Sequence, residues 1–138
     1  MIHQKVLLDT GPLVAFLNKR DQYHSWTVSE LASMAPPLLT CEAVLSESCF
    51  LLQRLTNGSA GLMILLEREL IKIPFCLEPE ISSIKKVMES YKNVPMSLAD
   101  SCLVRMSEQL SDTVIFTLDS DFGIYRKHKR QVIPTIMP

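Results

Sequence analysis

The chain has 138 residues, 47% hydrophobic and 21% charged, the composition of one globular domain and not of a disordered segment. Its net charge of −1 excludes the global positive field of a pure nucleic-acid-binding module. Any phosphate contact must then come from a local basic cluster or from bound cations.

The run Val6-Leu7-Leu8 stops at Asp9-Thr10-Gly11-Pro12, the pattern of a buried parallel strand ending in turn chemistry. Pro12 suits the start of a short helix through Leu17, where its missing N–H costs nothing. The sequence predicts a second helix over 25–34, stopped by Pro36-Pro37, and a short strand over 38–40. A helix over 42–55 carries the apolar stripe Val44, Leu45, Ser48, Leu51, Leu52 and Leu55. Asn57-Gly58 breaks it, and Ser59 starts the next helix, through Leu70. Residues 71–77 read as a strand that Pro74 restricts to an edge or a short length. Helices over 80–91 and 97–110 come next, then the β-branched strand Thr113 to Thr117 and a final strand over 131–135. Short strands alternating with helices predict a single α/β domain over 1–138, with a central parallel sheet flanked by helices in three layers.

The four cysteines (Cys41, Cys49, Cys76, Cys102) form no C-x-x-C pair and have no spaced histidine partners. They read as small core residues in a reducing cytoplasm and not as a zinc site. The stretch from Met1 to Val6 lacks an apolar leader, and no apolar run nears the roughly 20 residues that span a bilayer. The expectation is a cytoplasmic protein with no membrane partner.

The acids are the informative feature. Asp9 and Asp119 each follow an apolar strand, and ligands in open α/β sheets bind outside the carboxyl ends of strands. Glu47 has Ala43, Val44, Phe50 and Leu51 at helical spacing, which places it at the edge of a buried stripe. Asp100 has Met96, Leu103 and Val104 as such neighbours. Neither has a lysine or arginine three or four residues away, and a desolvated carboxylate needs a compensating charge. Mg²⁺ or Mn²⁺ would supply it, and one or two such ions are what phosphodiester hydrolysis needs. Structural readings stand beside this one. Ser97 to Asp100 is also a capping box, Asp119-Ser120-Asp121 a turn cluster, Asp9 a helix cap, and Glu47 one half of a distant ion pair.

Four segments resemble, in order, the motifs of PIN domains: Leu7 to Leu13 with Asp9-Thr10; Thr40 with Val44-Leu45-Ser46-Glu47; Met96 to Ser101 with Asp100; and Ile115 to Phe122 with Asp119 and Asp121. The likeness is nearest to small stand-alone members, including VapC-type toxins. It implies Mg²⁺- or Mn²⁺-dependent endonucleolytic cleavage of RNA, homodimers and, for toxin members, a small inhibiting antitoxin protein. It places Asp9, Glu47 and Asp100 on the three principal acids, with Asp119 or else Asp121 as the fourth. Thr10 and Thr117 fall on hydroxyl positions that help hold water or metal. With all acids intact, an inactive PIN-like RNA-binding module is disfavoured. The other alternative, an Mg²⁺-dependent phosphotransfer or signal-receiver-like module, would want a lysine after its last catalytic strands, which Arg126 and Lys127 fit poorly.

Arg126-Lys127-His128-Lys129-Arg130 is the one dense basic run. Near the acids, Arg126, Lys127, Lys129 and Arg130 would bind RNA phosphates; otherwise the run is a solvated turn. His24 and Trp26 read as packing residues before they read as a base-stacking surface. The helix bearing Leu62, Met63, Leu65, Leu66 and Leu70 is overfilled with apolar residues, which suits either a thick core or a homodimer face.

Overall fold

In the computed structural model, residues 4–55 and 57–138 are described. The first three residues, part of the segment expected to lack a leader, lie outside that range.

The chain order is β1 (Lys5–Leu8), α1 (Thr10–Leu17), α2 (His24–Leu31), β2 (Leu38–Leu39), α3 (Glu42–Leu52), α4 (Gly58–Glu67) and β3 (Ile71–Lys72). A 3-10 turn (Glu78–Glu80), α5 (Ile81–Ser90), α6 (Leu98–Gln109) and β4 (Thr113–Phe116) come next. A second 3-10 turn (Ser120–Gly123), β5 (Arg126–Lys127), β6 (Gln131–Val132) and β7 (Thr135–Ile136) complete the chain.

Five strands form a parallel sheet in the order β3-β2-β1-β4-β7, flanked by the helices in the expected three-layer α/β/α arrangement. β1 is at its centre because Val6, Leu7 and Leu8 are all buried, with nothing polar to point at water on either face. β4 is buried throughout for the same reason. The chain winds from β1 to β2 and β3 on one side, then crosses to β4 and β7 on the other. The switch of direction therefore falls between β1 and β4, where a crevice opens at the carboxyl ends. The register pairs Leu8 with Phe116, so Asp9 and Thr117 leave the sheet side by side.

Three elements differ from expectation. The strand expected over 71–77 stops after Lys72, because Pro74 brings no N–H to the ladder. The final strand is divided in two by Pro134. Gln131–Val132 pairs antiparallel with β5, and Thr135–Ile136 joins the main sheet beside β4. The stripe on α3 is narrower than its pattern. Val44, Leu45, Ser48 and Leu52 are buried, but Leu51 and Phe50 face out. Trp26 packs against Phe116 with ring centroids 5.5 Å apart, and His24 Nδ1 lies 2.7 Å from the Ala15 carbonyl oxygen. Both are packing residues. No helix among the described residues is long and apolar enough to cross a membrane.

Candidate active site

Asp9 sits where β1 gives way to α1, and both elements hold it. Its backbone N–H continues the ladder to the Phe116 carbonyl (3.0 Å), while its carboxylate caps α1 by accepting from the Thr10 N–H (2.8 Å). The cap expected as an alternative role is thus real, yet it uses only one oxygen. The other accepts from the Thr117 hydroxyl at 2.7 Å. Thr117 in turn accepts from the backbone N–H of Asp119 (2.9 Å), which fixes the loop after β4. Gly11 lets this loop close: a Cβ there would stand 3.1 Å from the Cβ of Leu118. Asp119 also accepts from the Asp121 N–H (2.9 Å), so the turn cluster and the candidate site are one object.

Asp100 arrives from the first turn of α6. Ser97 caps that helix, and Asp100 returns a bond to the Ser97 N–H (3.3 Å), completing the capping box. The same carboxylate accepts from the hydroxyl of the fully buried Tyr125 at 3.1 Å. Nothing in sequence spacing signals Tyr125, which lies outside every motif. Glu47 reaches the group from the rim, accepting from the Thr10 hydroxyl at 3.0 Å. It is exposed, unlike the half-buried acid its helical neighbours predict, because Phe50 and Leu51 on that face are uncovered.

One cleft is lined by Asp9, Thr10, Glu47, Ser97, Asp100 and Asp119 together with Gly11, Pro95 and Leu118. Asp121 does not line it, and neither does any residue of the basic run. Those basic residues form the β5–β6 hairpin instead. Arg126 spends its guanidinium on the carbonyls of Gly123, Ile124 and Tyr125, so it holds the preceding turn together.

The electrostatics are one-sided. Asp9 is 6% exposed and Asp100 7%. Burial, reinforced by the charges of Asp100 and Asp119 and opposed by the Thr117 and Thr10 bonds, pushes Asp9 up from 3.8 to about 6. Burial also raises Asp100, with Asp119 adding to it and the Ser97 and Tyr125 bonds resisting. Among the described residues, no lysine, arginine or histidine forms an ion pair with any acid of the cleft. Hard oxygen donors crowded without a cation are the donor set that Mg²⁺ or Mn²⁺ takes. Among the described residues, no group of three or more His, Cys, Asp or Glu side chains is spaced to hold a metal ion.

A parallel α/β sheet with a carboxylate cleft at its switch point defines the class of protein. The PIN domain family model matches residues 6–127, and the chain belongs to that family. Solved structures that match include Mycobacterium tuberculosis VapC20, described as a sarcin-ricin loop cleaving toxin. It has 17% sequence identity and a TM-score of 0.79 over 94% of this chain and 100% of that one. No curated protein sequence matches.

Proposed function

We propose that the chain is a metal-dependent endoribonuclease that hydrolyses RNA phosphodiester bonds with Mg²⁺ or Mn²⁺. Asp9, Glu47, Asp100 and Asp119 would hold one or two ions. The observation that carries this reading is the pair of desolvated carboxylates, Asp9 and Asp100, set at the sheet's switch point with neutral hydrogen-bond donors and, among the described residues, no cation. A bound divalent ion supplies the absent positive charge, lowers the pKa of water and neutralises phosphate charge. The chain's own part is orientation. Thr117 and the Thr10 N–H aim the two Asp9 oxygens, Tyr125 and the Ser97 N–H aim Asp100, and the Thr10 hydroxyl draws Glu47 inward. Asp119 is favoured over Asp121 as the fourth acid because it lines the cleft.

RNA is the substrate favoured by membership of the PIN family and by likeness to a toxin described as cutting the sarcin-ricin loop. A small antitoxin protein and a cytoplasmic setting belong to the same reading. A homodimer would cover the apolar side chains left bare on α3 and α4, among them Phe50 (68% exposed), Leu51, Met63 and Ile64. Lys127, Lys129 and Arg130 would contact RNA phosphates away from the cleft. A phosphoryl-accepting module is disfavoured, since no lysine lines the acids among the described residues.

The test is incubation of purified protein with structured and single-stranded RNAs in Mg²⁺, Mn²⁺ or EDTA, beside an Asp9→Asn variant. Cleavage that needs metal and disappears in the variant supports the reading. Absence of any cleavage by folded, inhibitor-free protein would sink it.

A further inference from the structure

Next to the acidic cleft is a hollow of about 470 Å³, within the range of small-molecule sites. Ala43, Phe75, Leu77 and Leu98 wall it, and Glu42 and Ser46 stand on its rim. Glu47 lines both this hollow and the cleft, and Ala99, also in its lining, immediately precedes Asp100. A group bound here would therefore be a direct neighbour of whatever occupies the acids.

The lining selects the occupant. It contains no lysine, arginine or histidine and two carboxylates, so it repels phosphate. Its apolar walls suit a flat heteroaromatic face. Leu98, 43% exposed at the first position of α6, offers an apolar side chain on the wall of the hollow against which a flat ring can pack. Glu42 and Ser46 lie one helical turn apart on the same exposed face of α3. Among the described residues the Glu42 carboxylate makes neither a hydrogen bond nor an ion pair, which leaves both oxygens free to accept. An ionised carboxylate only accepts, so it reads bases by their N–H donors. Guanine offers two parallel donors on its Watson–Crick edge, N1–H and the exocyclic amine. That geometry matches both oxygens of one carboxylate, while the other three bases offer a single such donor group.

We infer that this hollow is a nucleobase subsite that takes a guanine flanking the scissile phosphate. Glu42 reads the Watson–Crick edge of that guanine, and Leu98 packs on its face. The inference rests on RNA being the substrate, but its test does not use cleavage. Unlike a phosphate contact, such a site reads sequence, because single-stranded RNA presents its base edges and faces to pockets of this kind.

The experiment is methyl NMR of Leu98 and Ala43 in EDTA, with the trinucleotides UGU, UIU (inosine), UAU and UUU titrated to millimolar concentration. Saturable shifts are expected with UGU, and binding about tenfold weaker with UIU, which lacks the exocyclic amine, as a lost hydrogen bond to a charged group implies. Glu42→Gln should bring UGU and UIU to within about twofold of each other while leaving the melting temperature nearly unchanged, since an exposed charge at a helix start contributes little to stability. Leu98→Ala should weaken all purine trinucleotides while leaving the UGU-to-UIU ratio intact. No shift at either methyl, equal affinity for all four trinucleotides, or a guanine preference that survives Glu42→Gln would overturn the inference. Metal-dependent cleavage alongside any of those results would leave the ribonuclease reading standing and remove only the subsite. Guanine binding in a protein that cuts no RNA would do the reverse.

Discussion

Helix α6 carries two acidic neighbourhoods built on opposite rules. In its second half, Arg105 is shared between two acids, lying 3.1 Å from Glu80 and 3.3 Å from Glu108. The Gln109 amide also donates to Glu80, and the His128 N–H donates to Glu108 at 2.6 Å. The Arg105, Glu80 and Glu108 side chains are only 12–26% exposed, and each carboxylate has a cation. At the amino end, Asp100 has the Ser97 N–H and the Tyr125 hydroxyl and, among the described residues, no cation. Five residues separate Asp100 from Arg105, which turns the arginine about 140° around the helix and about 7.5 Å along it. Where acids serve the fold, the chain supplies the counter-charge. At the switch point it withholds one, and folding must tolerate the desolvation cost. That is the arrangement the proposed cation site would need.

Asp9→Asn should have the largest effect. Removing a carboxylate from the proposed ion site should lower cleavage by more than the roughly 10–100-fold that loss of an outer partner typically costs. The same change should stabilise the metal-free protein at neutral pH. The Asp9 carboxyl titrates at 3.8 ordinarily and at about 6 in the fold, so between those values the native state binds more protons than the unfolded one. Stability of the wild type without metal therefore falls as pH rises from about 4 to about 6 and stays lower above. The loss is at most about 3 kcal/mol at about 1.4 kcal/mol per pH unit. Urea melts at pH 5 and pH 7.5 in EDTA would show it, and the Asn variant should flatten the difference. A variant that is less stable at pH 7.5 would mean that Asp9 is a structural cap and little else.

Arg105→Met is the opposite case. It strands Glu80 and Glu108 in a half-buried place and should cost about 1–3 kcal/mol, less than for a fully buried pair because solvent still screens it. Cleavage measured well below the melting temperature should be unchanged. If activity fell while stability held, the two ends of α6 would not be separable. Tyr125→Phe comes next. It removes one of the two bonds aiming Asp100, at about 1–2 kcal/mol in cleavage rate. It also lets go of the burial-raised tyrosine's hold on the carboxylate without opening a cavity. The pH profile of cleavage should shift upward, since a donor that favours the ionised Asp100 is gone. A rate loss without that shift would reduce Tyr125 to a packing role.

Much of this is legible in the sequence, for a physical reason. Val6-Leu7-Leu8 and Val114 to Phe116 are continuous apolar runs, which only a doubly covered strand explains, and the acids come directly after them. Asp9 and Asp119 can be placed from that alone, and Asp100 from its apolar neighbours Met96, Leu103 and Val104 at helical spacing. The environment of Glu47 cannot, because helical spacing tells which residues share a face but not whether another element covers it. Phe50 and Leu51 look like core and are bare. Tyr125 and Glu42 are invisible for the same reason: their importance depends on elements far away in the chain. The hairpin is hidden because its turn is made by His128 and Lys129 at φ of 50° and 68°. Lys129 in particular is not a residue that announces the left-handed region, and no glycine marks the turn.

The hairpin gives the smallest expected effect. It sharpens the contrast from the other side, since its cations lie away from the acids they could have neutralised. Arg126 is committed to three carbonyls, and the φ angles of His128 and Lys129 hold the turn. Among the described residues, Lys127, Lys129 and Arg130 form no ion pair, which makes them the proposed phosphate contacts. Replacing these three with glutamine should leave cleavage at low salt within about threefold and the fold intact. The dependence of log affinity on log salt should become shallower by about 0.7 for each single-strand phosphate contact removed. Arg126→Gln should instead lower the melting temperature and leave the salt slope alone, because its bonds are internal. If the triple variant kept the wild-type slope, the hairpin would be a solvated turn. RNA would then be held by the cleft and its neighbouring hollow, with specificity resting on base contacts and not on charge.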